Sequence, residues 1–111
     1  MTVTVKVLVP AKTVEASQTT QYTATGVTTI IDKFTATNFS AAAATISVNL
    51  VTVTDSAASA NLITQAKTLQ PAEVYTFPEL VGQVLANGGF ISTVAGTGTA
   101  VNMRVSGREV T

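Results

Sequence analysis

The sequence contains no cysteine and no histidine. Without cysteine there is no disulfide framework and no thiolate metal site. Without histidine the Ser-His-Asp, Cys-His and histidine–metal arrangements are excluded. Tryptophan is missing too, and the aromatics are limited to Tyr22, Tyr75, Phe34, Phe39, Phe77 and Phe90. The usual stacking platform of a sugar-binding surface is therefore absent. Charge is scarce: 11% of residues carry one, about half the share of an ordinary soluble domain. The six basic and six acidic residues are spread singly and cancel. A phosphate backbone is gripped by a basic stripe, so nucleic acid is not an expected partner. No run approaches the ~20 apolar residues of a membrane helix. The first ten residues alternate with period two and lack the basic start of a secretory signal. The expectation is a soluble chain made in the cytoplasm, with no membrane partner.

What fills the sequence instead is threonine, alanine and valine in alternation, the pattern of strands with one buried face. Thr2–Val9 sets Val3, Val5, Val7 and Val9 on one face, with Leu8 breaking the polar side and Pro10 ending the strand. Thr13–Ala16 and Thr20–Thr25 are short threonine-rich strands, with Gly26 at a turn. Thr28–Phe39 places Ile30, Phe34 and Ala36 together. A bulge at Asp32-Lys33 would turn the acid outward and avoid burying an unpaired charge. In Thr45–Thr54, Ile46, Val48 and Leu50 point inward, with a bulge or two-sided burial where Val51 and Val53 take over. Asp55–Ala60 is a small-residue loop, and Asn61–Leu69 a further strand. Phe90–Ala95 and Val101–Val110 read as a final hairpin joined by Gly96–Thr99, with Gly107 allowing a bulge before Arg108.

Leu69–Ile91 changes register within this pattern. Gln70-Pro71 is a turn and Val74–Phe77 a short strand. Pro78-Glu79 then suits the opening of a short helical turn near 78–86, with Leu80, Val81, Val84 and Leu85 on one face and Asn87-Gly88-Gly89 stopping it. The stretch is expected to plug one end of the fold. Eight or nine strands spaced ~8–12 residues apart predict an all-β, antiparallel β-sandwich of jelly-roll or immunoglobulin-like type. A chain of 111 residues holds one such domain, 1–111. The expected core is Ile30, Phe34, Ile46, Val48, Leu50, Phe77, Leu80, Leu85, Phe90, Val101, Met103 and Val105.

Little in this pattern carries chemistry. Asp32, Asp55, Glu73 and Glu79 are the acids whose convergence is conceivable, but a glycosidase needs two of them across a cleft. Gly96-Thr97-Gly98 lacks the lysine and helix of a phosphate loop. Asn38-Phe39-Ser40 matches the glycosylation triplet yet reads better as a turn. No enzyme, cofactor or metal site is expected. The one stretch read as an interface is Thr2, Val3, Thr4, Val5, Lys6, Val7, Leu8 and Val9. It is apolar on both faces, with Lys6 its only charge against edge pairing. The two readings are pairing within its own sandwich and strand addition to a neighbouring subunit.

Several segments carry a resemblance: Tyr22–Ile31, Phe34–Asn38, Ala44–Val48, Asn61–Ile63, Leu69–Pro71 with Glu73, Pro78–Leu85 and Val105–Val110. Their turn and core residues resemble a family of small β-sandwich proteins among the structural genes of tailed phages and prophages. The likeness spans most of the chain, but it carries no active-site motif. Asp32-Lys33 departs from it, because these sequences more often have a basic residue followed by a small one. The resemblance implies a non-enzymatic virion protein, most directly a capsid decoration (cement) protein that binds and stabilises the assembled capsid. The alternatives are a tail or fibre attachment component, or a carbohydrate-binding module on a fibre. The implied partners are the major capsid protein or tail subunits, with a homo-oligomer as the expected state.

Overall fold

The alternating segments become nine strands in the computed structural model, which describes residues 1–111. They are β1 (Val3–Thr13), β2 (Thr19–Thr23), β3 (Thr28–Asn38), β4 (Ala44–Val51), β5 (Leu62–Leu69), β6 (Val74–Tyr75), β7 (Val84–Leu85), β8 (Phe90–Ala95) and β9 (Val101–Val110). One sheet runs β1-β9-β3, with β6 and β7 one after the other along the outer edge of β3; the other runs β2-β8-β4-β5. All pairs are antiparallel. The chain is one long hairpin whose arms pair β1 with β9, β2 with β8, β3 with β6 and β7, and β4 with β5. Its tip is the segment 52–61. Wrapping this hairpin on itself lays β9 beside β3 and β8 beside β4. That connectivity is a jelly roll, the first of the two expected topologies.

Twenty buried apolar residues from both sheets form one core. Two bulges set which residues enter it. Register slips between Val7 and Val9 on β1 and between Ile31 and Lys33 on β3. A bulge puts two neighbouring residues on the same side of the strand or turns one out of the ladder. Leu8 and Val9 therefore both face the core. On β3 the inward set changes from Thr29 and Ile31 to Phe34, Ala36 and Asn38. Asp32 is turned out to Arg108, 2.9 Å away, as the sequence predicts.

Several expectations need correction. Residues 78–86 are not helical: two successive turns, Leu80 N to Phe77 O and Gln83 N to Leu80 O, lead into β7. The free edge of β3 outweighs the helical spacing here, because it needs partners. Ile31 bonds Gly82 and Gln83, and Thr29-Ile30 pair with Val84-Leu85. Leu80 and Leu85 point inward, whereas Val81 and Val84 are exposed. The stretch thus closes a lateral side of the sandwich, not an end. Glu79 carries the closure across to the other sheet by accepting hydrogen bonds from Tyr75 Oη and from Thr64 Oγ1 on β5.

β8 and β9 are not a hairpin, since they lie in different sheets. Gly96 N bonds Thr45 O and Phe39 N bonds Ala100 O as the chain crosses between them. Pro10 does not end β1. It sits exposed between two register shifts, where its missing N–H costs no ladder bond. No bulge lies on β9 at Gly107; the bulges are on its two neighbours. Ile30, Leu50 and Phe90 are only half-buried, and Ile31 takes the place expected of Ile30.

Phe34 is fully buried against Phe77, with ring centroids 4.5 Å apart. Truncating Phe34 to alanine should cost about 3–5 kcal/mol in denaturant unfolding. The half-buried Phe90 should lose clearly less, and equal losses would show that burial does not rank these two sites.

Candidate interface at the free edge of β1

β1 pairs with β9 on one side and with nothing on the other. Thr2 and Thr111 exchange both backbone bonds, at 3.2 and 2.9 Å. Bonded pairs alternate along an antiparallel ladder, so Thr4–Glu109 and Lys6–Gly107 are the next bonded pairs in this register. The N–H and C=O groups of Val3, Val5 and Val7 consequently point to the free edge. Their side chains lie on the outer face of the sheet and are 50%, 82% and 39% exposed. The row across that face is Val5, Arg108, Ile30 and Val84. Val81 and Val84 add further exposed apolar surface. The spacing of Val81 and Val84 hid this, because a helical reading places both on a buried face.

The residues read as an interface divide at the bulge. Val3, Val5 and Val7 are accessible on the outer face, and Thr2, Thr4 and Lys6 are exposed on the other side of the strand. Leu8 and Val9 belong to the core. On the inner side, Lys6 Nζ pairs with Glu109 at 3.3 Å. Tyr22 Oη donates to the same carboxylate, and Thr29 Oγ1 lies 2.7 Å from Tyr22 Oη. Because the phenol's one hydrogen goes to Glu109, the Thr29 hydroxyl donates to Tyr22. The Tyr22 bond and then Lys6 hold Glu109 below the ordinary carboxylate range, against the effect of burial. Burial first, then the Glu109 bond, pushes Tyr22 up to about 12.

The other sequence candidates do not converge. Asp32 pairs with Arg108, Glu73 accepts from Gln70 N in its turn at 2.7 Å, and Glu79 sits with Tyr75 and Thr64. No three acids come close enough to share a metal ion. Gly96-Thr97-Gly98 belongs to the sheet crossover. Asn38 is fully buried and donates to Ala42 O and Leu69 O, so the triplet is a turn. Tyr22 and Tyr75 are half-buried, each tied to a glutamate. No helix is long and apolar enough to cross a membrane.

Fold and edge together define an all-β jelly-roll sandwich with one long unpaired strand edge. Comparison with protein-family models, with curated proteins and with solved structures finds no match.

The titrations give a signed expectation. Glu109, Glu79 and Glu15 are all held below 4.5. The stability they contribute is present above that value and is lost as pH falls through their lowered folded values. Tyr22 is raised from 10.0 to about 12, so its contribution is present below 10 and fades as pH rises toward 12. The melting temperature should be flat through neutrality and fall at both ends. In a Tyr75→Phe variant the remaining tyrosine, followed by phenolate absorbance, should titrate near 12; a midpoint near 10 would refute the Tyr22–Glu109 bond.

Proposed function

We propose that the protein is a non-enzymatic structural component of a phage particle, a capsid decoration subunit that binds and stabilises the assembled capsid. The observation that carries this reading is the open β1 edge with its exposed valines. It offers backbone donors and acceptors for strand addition beside exposed valines, and the nearest charges on that face, Arg108 and Asp32, are paired with each other. The family resemblance of the turn and core residues supports the phage setting. The low charge and hydroxyl-rich composition supports a surface that spends its life against other proteins. The major capsid protein is the proposed partner, and the virion the proposed location.

Incubating the purified protein with capsids of the phage that encodes it should give co-sedimentation in proportion to capsid subunits, and should raise the capsid's thermal stability. Removing residues 1–9 would take Leu8 and Val9 from the core, so the informative variant is Val5→Lys. It leaves the backbone groups of the edge in place but sets a charge among the exposed valines, and it should fold and bind capsids about tenfold more weakly. Binding in only a few copies would favour a tail or fibre attachment role, and no binding would reject the reading.

A second reading, a sugar-binding module on a fibre, has one observation in its favour. A groove of about 370 Å³ on the outer face of the second sheet is lined by Gln18, Ser47, Asn49, Ser59 and Gln65 around Leu62 and Val94. Its lining is uncharged, which suits a neutral polyhydroxylated ligand. A glycan array decides it: a hit abolished by Gln65→Ala would support a fibre role, and a blank array would remove it.

A further inference from the structure

We infer that β1 pairs with β1 of a second copy of this chain, antiparallel, across a two-fold axis at Val5. This rests on the reading of β1 as an association edge, and it needs no phage partner. The backbone phase carries the argument. Val3, Val5 and Val7 present their N–H and C=O groups outward, while Thr4 and Lys6 are bonded to β9. In an antiparallel pair of identical strands, bonds form only where outward groups meet outward groups. That excludes any register that sets Val5 opposite Thr4 or Lys6, and it leaves shifts of two residues.

Centring the axis at Val5 sets Val5 opposite Val5 of the second copy, and Val3 opposite its Val7. Every outward group from Val3 to Val7 is then satisfied, and Thr4 stands opposite Lys6. Shifting the centre to Lys6 places the two lysines face to face, which is destabilising. It also drives Val3 against the bulge at Val9-Pro10, where pairing stops. Shifting the centre to Thr4 leaves Val7 opposite Met1 and satisfies fewer of the outward groups. The axis is perpendicular to the sheet, so the outer faces of both copies lie on the same side. The valines of one strand flank those of the other, and Pro10 ends the pairing on both.

Charge fits this pairing. Lys6 is held by its own Glu109 at 3.3 Å, and Arg108 by Asp32 at 2.9 Å. The protecting charge of the edge is thereby neutralised, and two copies meet without net repulsion. The pairing of Val3–Val7 is shorter than a standard interface requires, so the dimer forms reversibly with concentration.

Because the chain has no cysteine, a single introduced thiol reports the register. Residues opposite each other in a bonded pair have Cα atoms about 5.5 Å apart, within the range a disulfide spans. Mild oxidation should therefore convert Val5→Cys to covalent dimer. Val3→Cys alone should form no covalent dimer, and a mixture of Val3→Cys with Val7→Cys should form a covalent heterodimer. In sedimentation equilibrium the unmodified chain should show a reversible dimer. Val5→Pro removes an N–H that faces only the free edge, and should weaken that dimer about tenfold with the far-ultraviolet spectrum unchanged. If Val5→Pro does not fold, the thiol pattern decides alone. A monomer at every concentration, or Val5→Cys linking no faster than Val3→Cys, overturns the inference. None of these measurements contains capsid, so a dimer that ignores capsids rejects the proposed function alone, and a monomer that binds them rejects the dimer alone.

Discussion

Gly107 is the tightest constraint in the sandwich. It lies on β9, the strand between β1 and β3, and a Cβ there would sit 2.2 Å from Ile30 O and 2.8 Å from Leu8 Cδ1. Both neighbouring strands bulge at this level, at Leu8 and at Asp32. Each bulge inverts the side-chain alternation of its strand. Beyond the β3 bulge, Phe34 rather than Lys33 enters the core. Across the β1 bulge, Leu8 and Val9 turn inward while Val3, Val5 and Val7 stay outside. The same local geometry therefore fills the core and leaves three valines on the outer face. A side chain at 107 would press on a carbonyl that cannot retreat without unpairing β3.

The rest of the fold distributes its polar groups so that none is stranded: no buried side-chain nitrogen or oxygen lacks a partner. Asn49, on the outward side of β4, donates to Ala58 O at 2.9 Å and to Asn61 Oδ1 at 2.7 Å. Gln18 donates to Ser92 Oγ at 2.8 Å beside it. These bonds fold the tip of the long hairpin back onto the sheet, which is why Asn49 is buried on a face that alternation assigns to solvent. On the lateral side, Phe77 packs between Phe34 and Tyr75, its ring tilted to both. It holds a backbone φ of 45°, a conformation that costs a bulky side chain of order 1–3 kcal/mol. Packing of the three rings offsets that strain and keeps 78–82 in turns.

Strand identity was legible in the sequence because it depends on period-two alternation, a local property. Phe90–Ala95 and Val101–Val110 match the structure at both ends. Their pairing was not legible, because Gly96–Thr99 has the composition of a hairpin loop and only the wrapped topology makes it a crossover. The bulge at Asp32 could be read from the cost of burying a carboxylate, but its consequence was not carried through. Once the register slips there, Ile31 and not Ile30 shares a face with Phe34. The helical reading of 78–86 failed for the same non-local reason, since the spacing of Leu80, Val81, Val84 and Leu85 says nothing about an edge of β3 in need of partners. At the candidate interface, the alternation of Thr2–Val9 marked the right strand, while the inward turn of Val9, which alternation groups with Val3, Val5 and Val7, depends on a bulge set against Gly107 on a distant strand.

The other sheet edges are each blunted. β6 and β7 cover β3, β2 is only five residues long, and β5 carries Lys67 over the ring of Tyr75 and a left-handed Ala66 that breaks its ladder. β1 alone is long and straight to its bulge. Lys6, its one lysine before the bulge, is paired on the inner side with Glu109, whose ionised form Tyr22 favours by donating a hydrogen bond to it. The ammonium, 3.3 Å from Glu109, stands on the inner side of the strand, whereas Val5, the most exposed valine of β1, stands on the outer side. The free backbone groups of the edge therefore lie between an apolar face and a paired charge, and no proline, bulge or covering strand blunts them before Leu8.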